Sequence, residues 1–543
     1  MLHWLQHYKR AMLPGDLSAG IVVAMMMIPQ GMAYALVAGL PPVAGIYASI
    51  VPPLLYALFG TSSTQSVGPM AIISLMTASA LAPLATPGSA LYGVLAAQLA
   101  LLSGAVLLAC GLLRIGFLAN FFSRPVMSGF TIGSALLIAW GQLRPLLGAT
   151  LPGVHWPSAA LGLGALALLV WARSWMAGTL RRIGMSAVAA DIGAKLAPML
   201  VVLGAIALVS SLDLAARGVA TTGAVPAGLP GLNLATSSAH WQALLQPALL
   251  NAFMVFLISM SGAQALALKR GEKLGSNREL VGLGAANIGS ALSGGFPVTG
   301  SISRSAVNYA AGANSQLASL ITAALLALAL VAPTGWLALL PLPVLAATII
   351  VAVLGMLDLS TLQTAWRYDR ADAAALLATA SGVLVLGVEA GVVVGVALSM
   401  GALIWRASRP HIAVLGRIHG SEHFRNVERY STETAPGLLM LRVDAGLFFG
   451  NVDAVNQRIE DELALHPGTR HLVLVLSAVN SIDTSALFGL TELNSSLRQR
   501  GVLLHLAEVK GPVMDRLKHS KLLQALNGRL FLSAAMAWDE LAA

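Results

Sequence analysis

The sequence predicts an α-helical polytopic membrane protein with a small α/β domain at its C-terminus. Of its 543 residues 57% are hydrophobic and 10% are charged, with a mean hydropathy of +0.78, whereas soluble proteins carry about 25% charged residues. Apolar runs broken by Gly, Pro and short polar clusters extend over residues 15–408. From residue 437 onwards charged residues are frequent, and strand-like runs alternate with helix-like ones. The long apolar part therefore belongs in lipid, and the last part is typical of a soluble α/β module.

The N-terminus and the charge distribution exclude several classes of protein. Residues 1–14 are basic, but no short apolar core with a small-residue cleavage site follows, so we expect no removable signal peptide. The single Cys110 allows no disulfide within the chain and no cysteine metal site. The net charge of +9 is scattered between apolar runs, so we expect no nucleic-acid partner.

Residues 15–408 have room for about 14 membrane spans, because a helical crossing needs about 20 residues. With residues 1–14 in the cytoplasm and an even number of spans, nearly all basic loops fall on the cytoplasmic side. Only Arg144 and Arg217 fall outside. This satisfies the positive-inside rule and predicts cytoplasmic N- and C-termini in a bacterial inner membrane.

Two polar Gly/Pro stretches, 60–75 and 293–308, interrupt spans at corresponding positions of the two halves, and each leads into a short helix. Paired interruptions of this kind indicate a binding site at the membrane midplane between repeats. Irregular backbone at this depth is tolerated only inside the protein or beside a water-filled cavity. We therefore expect both stretches to face a cavity.

The expected ligand of this cavity is an anion, because a helix start presents free N–H groups and the positive end of its dipole. Ser66, Thr299, Ser301 and Ser303 add hydroxyl groups near the two helix starts, and Arg304 adds a positive charge. Ordinary helix capping explains the hydroxyls equally well. Pairing with a carboxylate is the alternative for Arg304, although acidic residues are scarce at membrane depth.

Four long runs of this sequence resemble the SulP family of sulfate permeases, whose relatives include the mammalian solute-carrier 26-type anion exchangers. The resemblance extends over essentially the whole chain, and the matching runs are residues 41–62, 66–76, 277–313 and 389–399. It implies two inverted repeats of about seven spans, here about 15–217 and 244–408. It also implies a core domain that moves against a gate domain by alternating access, a homodimer, and transport of a small anion.

In this family the anion lies between the N-termini of the third and tenth spans, with the first and eighth spans contributing. Carried onto this chain, the resemblance implies an anion-binding set of Gln30, Gly68, Pro69, Met70, Ala71, Thr299, Gly300, Ser301, Ser303 and Arg304. For Gln30, an amide that forms hydrogen bonds between packed helices is an equally good interpretation.

The eighth span departs from the family pattern, because Ile258 stands where many relatives have an acidic residue. A buried carboxylate can carry a proton or bind Na⁺, so its loss makes exchange or uniport more probable than cation symport. Ser259, Ser261 and Gln264 could still line the cavity, but small polar residues also mediate helix packing.

The C-terminal part, residues 437–543, resembles a STAS domain and follows a connector at 409–436 that could contain one irregular strand. In signalling relatives a hydroxyl at the position of Thr484 is phosphorylated, which marks Thr484 as a possible regulatory phosphosite. Capping of the following helix by Asp483, Thr484 and Ser485 is the preferred interpretation. We expect this domain to regulate transport, to dock a cytoplasmic partner or to assist dimer assembly.

No HExxH, CxxC, GxSxG or P-loop motif is present, which argues against an enzyme. The spacing of His411, His419 and His423 is typical of a solvated linker rather than of a metal site. We therefore predict no metal and no cofactor. The alternative function is a membrane-anchored signalling scaffold that acts through its STAS domain. Sulfate is the first substrate to consider, and bicarbonate, chloride and dicarboxylates share its charge.

Overall fold

A computed structural model gives the architecture and describes residues 3–6, 8–117, 123–148, 153–233, 235, 237–332 and 334–542. The chain forms two compact units, Met1–Ser399 and Met400–Ala543. The first unit is helical apart from two very short strands, β1 (Val67–Gly68) and β2 (Thr299–Gly300).

The helices of the first unit are numbered in chain order, and the last of them, α20, continues beyond Ser399, where this unit ends. They are α1 (His3–Gln6), α2 (Leu13–Val37), α3 (Pro42–Tyr47), α4 (Val51–Phe59), α5 (Ala71–Leu81), α6 (Ala90–Leu112), α7 (Arg124–Gly141), α8 (Leu143–Leu147), α9 (Trp156–Trp171), α10 (Ala177–Arg182), α11 (Ala187–Ser211), α12 (Trp241–Arg270), α13 (Ser276–Leu292), α14 (Ile302–Ala310), α15 (Leu317–Val331), α16 (Gly335–Ala338), α17 (Leu342–Leu354), α18 (Leu359–Tyr368), α19 (Arg370–Leu386) and α20 (Val388–Ser408). A π-helical turn, Ala172–Met176, joins α9 to α10.

Within the described residues, nine helical segments are long and apolar enough to cross a membrane, so the chain is a multi-pass membrane protein. Two shorter apolar helices, α5 and α15, add to them. The exact number of spans stays a prediction, because length and composition do not decide whether short helices cross. The nine segments are Arg10–Val37, Pro42–Phe59, Ala90–Leu112, Arg124–Leu147, Trp156–Arg182, Ala189–Ser211, Ser238–Arg270, Leu342–Tyr368 and Val388–Ser408.

The described helices of the first unit pack around three apolar cores, two large ones and a small one between α2 and α14. In the first core, α13 lies along α6 and α4, and α12 packs on α6. In the second, α17 packs on α9, α7 and α2. Glycines permit a close crossing of α6 and α13, because Gly104 of α6 and Gly284 of α13 face each other's backbone. Small residues at such crossings allow the backbones to approach, which is the usual packing solution between membrane helices.

The second unit is built on a six-stranded sheet with the order β4-β3-β5-β6-β7-β8. β3 pairs antiparallel with both of its neighbours, and β5 to β8 are parallel. The strands are β3 (Ile412–Arg417), β4 (Phe424–Asn426), β5 (Leu438–Val443), β6 (His471–Val475), β7 (Leu503–Ala507) and β8 (Leu530–Phe531). The helices are α21 (Val452–Leu465), α22 (Thr484–Gln499), α23 (Gly511–Leu517), α24 (Lys521–Ala525) and α25 (Ala534–Leu541).

Both faces of this sheet are covered, which explains the apolar character of its central strands. In β5, Leu439, Leu441 and Val443 join the core beneath α21 and α22, whereas Leu438 and Met440 join the core beneath α25. β3 and β4 lie in the segment for which the sequence predicts a connector. They form strands there because β3 finds a partner in β5, which lies more than twenty residues further along the chain.

Candidate functional site

The two interrupted segments meet as the antiparallel pair of β1 and β2, with Val67 opposite Gly300 and Gly68 opposite Thr299. The backbone N–H of Ser301 extends this pair by donating to Ser66 O at 3.0 Å. Each strand leads directly into a short helix, α5 after β1 and α14 after β2. The predicted meeting of the two interruptions therefore occurs, and it leaves two helix N-termini on either side of a two-residue ladder.

Arg304 lies in the first turn of α14 and is only 1% exposed. Its Nη1 donates to the carbonyl of Pro69, just before α5, at 2.7 Å. Its Nε and Nη2 have no hydrogen-bond partner, and no carboxylate pairs with it in the part of the chain that the structure describes. Buried, unpartnered N–H groups on a cation are costly. The guanidinium of Arg304 thus connects the two interrupted segments, and two of its nitrogens remain available to donate to a ligand.

Gly68 keeps the backbone of β1 beside this guanidinium. A Cβ at Gly68 would lie 2.6 Å from Met27 Cε and 3.2 Å from Arg304 Nη2. Met27 belongs to α2, which also carries Gln30. Gln30 is 9% exposed and lies one turn further along this helix.

The predicted hydroxyl groups have different roles. The Thr299 hydroxyl donates to Val255 O at 2.8 Å, so its proton is already used. Ser301 caps α14, because its Oγ accepts the Arg304 N–H at 3.4 Å. Ser303 is exposed. At the other interruption, the Ser66 N–H donates to Ser305 Oγ at 2.9 Å, a contact that the sequence did not indicate.

The remaining predicted positions contribute backbone. Pro69 supplies the carbonyl that accepts from Arg304, and Met70 is the extended residue that precedes α5. Ala71 begins that helix. Gly300 lies against the side chain of Gln65, since a Cβ at Gly300 would be 1.7 Å from Gln65 Nε2. Only glycine fits this position without moving Gln65.

Position 258 in α12 has the apolar character that the sequence predicts, because Ile258 is 4% exposed and belongs to the first core. Its neighbour Ser259 is fully buried and accepts a hydrogen bond from Gln65 Nε2 through its carbonyl at 3.3 Å. Ser261 and Gln264 are exposed. The side of α12 that meets β2 therefore carries a serine but no carboxylate at 258 or 259.

A buried carboxylate lies elsewhere, at Glu279 in the first turn of α13, and sequence reasoning missed it. It is fully buried and accepts hydrogen bonds from Tyr56 Oη at 2.7 Å, Thr61 N at 2.7 Å and Ser62 N at 3.1 Å. The Thr61 hydroxyl donates as well. Glu279 ends the polar stretch 269–279 and directly follows Arg278, so no local sequence signal marks its carboxylate as buried.

Two buried amides hold the loop between α4 and β1. Gln316 Nε2 donates to Ser62 O at 2.6 Å and to Gln65 O at 3.1 Å. Asn308 Nδ2, on α14, donates to Thr64 O at 2.9 Å. Because α14 also carries Arg304, the loop and the arginine are fixed to one another.

In the second unit, Asp483 caps α22 by accepting the Ala486 N–H at 2.8 Å, and its other oxygen accepts the Phe449 N–H at 2.9 Å. Thr484 is the first residue of α22 and is exposed. No group of three or more His, Cys, Asp or Glu side chains is placed to hold a metal ion among the described residues.

Comparison with known proteins identifies the family. The profile of the sulfate permease family matches residues 13–379, and that of the STAS domain matches residues 429–537. The chain is 37% identical over 540 residues to a probable sulfate transporter of Mycobacterium tuberculosis, which covers 96% of this chain and 94% of the relative. It is 35% identical over 531 residues to a chloroplastic sulfate transporter of Arabidopsis thaliana, covering 92% of this chain and 75% of the relative.

Solved structures show the same fold. The murine solute carrier 26 family member A9 anion transporter, in its inward-facing state, matches with a TM-score of 0.89 at 23% identity over 99% of this chain and 93% of its own. The transmembrane domain of a cyanobacterial bicarbonate transporter matches with a TM-score of 0.60 at 22% identity over 72% of this chain and 98% of its own. The resemblance found in the sequence is confirmed, and the chain belongs to the sulfate permease family of membrane transporters, with a STAS domain at its C-terminus.

Proposed function

We propose that this protein is a secondary transporter of small anions, and that it binds its substrate between the starts of α5 and α14. The observation that carries the proposal is Arg304, whose Nε and Nη2 are buried without partners beside two helix N-termini. An anion would accept from these donors and from the free N–H groups of the helix starts. It would thereby remove the cost of burying them.

Sulfate is the first candidate substrate, because the relatives that match along nearly the whole chain are named as sulfate transporters. Bicarbonate, chloride and dicarboxylates remain in the same class, since each presents a negative charge to N–H donors. The family match disfavours the alternative of a signalling scaffold, whose membrane part would not transport.

The proposed transport step follows from the hydrogen bonds that connect the parts of the site to one another. Arg304, β2 and the loop before β1 are held together by Asn308 and Gln316, so they would move as one body. In alternating access, a core domain carrying this body would move past a gate domain in a homodimer. The two inverted repeats at about 15–217 and 244–408 are part of this proposal, and so are cytoplasmic termini in a bacterial inner membrane. With Ile258 in place of a carboxylate, exchange or uniport is favoured over cation symport.

The STAS domain, at 437–543 after a connector at 409–436, would regulate transport or dock a cytoplasmic partner. Thr484 is exposed at the start of α22, where a phosphate would meet a helix N-terminus. Capping by Asp483 is sufficient to explain the local sequence without phosphorylation.

Uptake of labelled sulfate into liposomes that hold the purified protein tests the proposal, with a panel of competing anions and with or without a proton gradient. We expect competition by at least one anion and no stimulation by the gradient. Arg304→Ala should weaken apparent affinity, whereas the exposed Arg182→Ala should not. If no anion moved in any condition, the scaffold function would take the place of this one.

A further inference from the structure

Asn251 of α12 is a buried amide that the proposed anion site does not use. It is 1% exposed, and neither its Nδ2 nor its Oδ1 has a hydrogen-bond partner among the described residues. Its surroundings are apolar, since Ala248, Ala252 and Val255 of the same helix belong to the first core. Burying an amide without hydrogen bonds costs free energy, and lipid supplies no water to form them. An apolar side chain of similar size would therefore be more stable at this position.

The other buried amides of the first unit are better satisfied. Asn308 and Gln316 each leave an oxygen without a partner, but their nitrogens donate to the loop before β1. Asn287 of α13 uses both atoms, because its Nδ2 donates to two backbone carbonyls at 2.9 and 3.0 Å and its Oδ1 accepts a backbone N–H at 2.9 Å. Among the residues that the structure describes, Asn251 is the amide whose two polar atoms are both buried and unpaired.

Packing between helices does not explain Asn251. Asparagine can join membrane helices when its amide forms a hydrogen bond across their interface. A polar neighbour of this part of α12 is Ser103 of α6, whose hydroxyl donates to Ala248 O at 3.3 Å. This hydrogen bond forms one turn before Asn251 and does not involve its amide. The described contacts therefore give Asn251 no structural task.

Asn251 lies on the side of α12 that meets the two interrupted segments. Asn251, Val255 and Ser259 follow one another at intervals of four residues, so they share one face of the helix. Val255 O accepts from the Thr299 hydroxyl of β2 at 2.8 Å, and the Ser259 hydroxyl contacts Gln65 Nε2. Two of the three positions thus contact the segments that form the site, and Asn251 is the next position towards the start of α12.

A short series of contacts leads from this face of α12 to the guanidinium. Thr299, which binds Val255 O, lies opposite Gly68 in the β1–β2 ladder. A Cβ at Gly68 would be 3.2 Å from Arg304 Nη2. Because helical side chains lean towards the N-terminus of their helix, the Asn251 amide lies beyond Val255, towards the start of α12. The unpartnered amide and the unpartnered guanidinium are thus separated by β1, β2 and one helical turn.

We propose that Asn251 is a second substrate-contacting residue, whose Nδ2 donates to the transported anion between Arg304 and the start of α12. An amide N–H is a suitable donor to an anion, and the anion would relieve the cost of burying it. In the conformation described the amide is closed off, so the contact forms when the core domain moves during alternating access. The inference rests on the proposed anion transport, and it adds a residue to which the family resemblance gives no role.

Asn251→Val separates transport from stability, because valine is close to asparagine in size and in helix propensity but has no polar group. Thermal unfolding of the full-length protein in detergent should show a midpoint higher by about 2 °C, since an unpaired buried amide is removed. Labelled-sulfate uptake into liposomes should show a KM raised roughly ten-fold, because the anion loses one hydrogen bond. A purely structural role would not combine higher stability with weaker apparent affinity.

Two further variants control these measurements. Asn287→Val makes the same substitution at an amide whose atoms are all paired, so its midpoint should fall. Asn251→Thr has the shape of Asn251→Val but keeps a hydroxyl donor. Its KM for sulfate should therefore lie several-fold below that of Asn251→Val.

An unchanged KM in Asn251→Val would overturn the inference, and so would equal KM values for Asn251→Val and Asn251→Thr. A lower midpoint in Asn251→Val, or its failure to fold, would also overturn it, because the amide would then be satisfied in the folded protein. Absence of sulfate uptake by the unmodified protein would instead overturn the proposed function, and this inference with it.

Discussion

Of the Arg, Lys, Asp and Glu side chains described in the first unit, three are fully buried, Arg304, Glu279 and Asp16, and the surroundings of the first two differ in one respect. Glu279 has hydrogen-bond donors at both oxygens. Arg304 has one satisfied nitrogen, and two of its nitrogens lack partners. Protein interiors rarely leave donors on a charged group unpaired, because the free-energy cost is several times that of an ordinary hydrogen bond. The excess of donors at Arg304 thus indicates a missing acceptor, whereas Glu279 is complete without a ligand.

Arg304→Lys separates the charge of this residue from its shape. Lysine keeps the positive charge, but its three N–H groups share one nitrogen, so they cannot reach Pro69 O and the separate positions of Arg304 Nε and Nη2 together. We expect the KM for sulfate to rise roughly ten-fold, since one charge-assisted hydrogen bond is lost. Sulfate-dependent uptake rates measure this, with Arg182→Lys as the control. An unchanged KM would show that charge alone suffices at this position.

Gly300→Ala tests the close contact between β2 and Gln65. The new Cβ would lie 1.7 Å from Gln65 Nε2 and 2.7 Å from Ser259 Oγ, so Gln65 must move. We expect uptake to fall at least about ten-fold, because overpacking of this kind costs about 1–3 kcal/mol and displaces the loop that carries β1. Gly164→Ala in α9 is the matched control, since nothing lies within 4 Å of its Cβ. Full activity in Gly300→Ala would contradict the contact.

The sequence predicted those parts of the site that depend on local signals. Gly, Pro and hydroxyl residues before a short helix mark an interrupted span, so the two stretches and Arg304 were predicted from the residues themselves, whereas Gly68 and Gly300 were predicted from the family resemblance. The hydrogen bond between Tyr56 and Glu279 was not predicted, because the two residues are far apart in sequence. Tyr56 and Glu279 are separated by 223 residues, and neither carries a motif that refers to the other. The contact of Ser305 was not predicted for the same reason, since its partner Ser66 lies in the other half of the membrane part of the sequence.

At the scale of elements, two helices of modest length depend on their neighbours. α14 has nine residues and α5 has eleven, too short to be stable alone in water. They are fixed by the ladder of β1 and β2 and by buried amides from α14 and the residues before α15. The Asp16 carboxylate of α2 adds a further tie by accepting the N–H groups of Asn314 and Ser315.

Gly104→Ala tests the crossing of α6 and α13. The added Cβ would lie 2.8 Å from the carbonyl oxygen of Gly284 and 2.8 Å from the backbone nitrogen of Ile288, which cannot move without displacing α13. We expect the free energy of unfolding to fall by about 1–3 kcal/mol. Thermal unfolding in detergent measures the change. In the same helix Gly93 has open space around its Cβ, so Gly93→Ala should leave the midpoint unchanged or raise it. Equal midpoints for both variants would argue against this crossing.

At the scale of the whole molecule, composition predicted the class of each unit, because a membrane and a soluble core impose opposite demands on charge. Composition did not predict the number of membrane spans in the same way. Helices such as α5 and α15 are apolar but shorter than a full crossing, and polar interruptions divide what hydropathy alone would join. The sequence allowed one irregular strand in the connector but did not predict that β3 and β4 would both join the sheet, since their sheet partners are decided by the fold of the second unit rather than by a local pattern.

The second unit should lose stability in acid through one buried histidine, His505 of β7. Burial first, and then the positive charges of His471 and Arg529, lower the pKa of His505 from 6.5 to about 4. Its Nδ1 accepts the Arg529 N–H at 3.0 Å, and its Nε2 lies 3.2 Å from His471 Nδ1, so the ring is held neutral. Between pH 6.5 and about 4 the unfolded chain binds a proton that the folded unit does not. The free energy of unfolding must therefore decrease as pH falls through this window.

His505→Asn removes the titrating ring and keeps one of its hydrogen bonds, because its Oδ1 takes the place of the imidazole Nδ1 and can accept from the Arg529 N–H; its side chain is too short to reach His471. Residues 409–543 have their own sheet and two apolar cores, so they can be studied alone by urea unfolding at pH 7 and pH 5. From pH 7 to pH 5 the unmodified unit should lose up to about 2 kcal/mol more than the variant. A smaller loss persists in the variant, because burial also lowers the pKa of His471. If both proteins lost the same free energy, the neutral form of His505 would not be what stabilises this sheet.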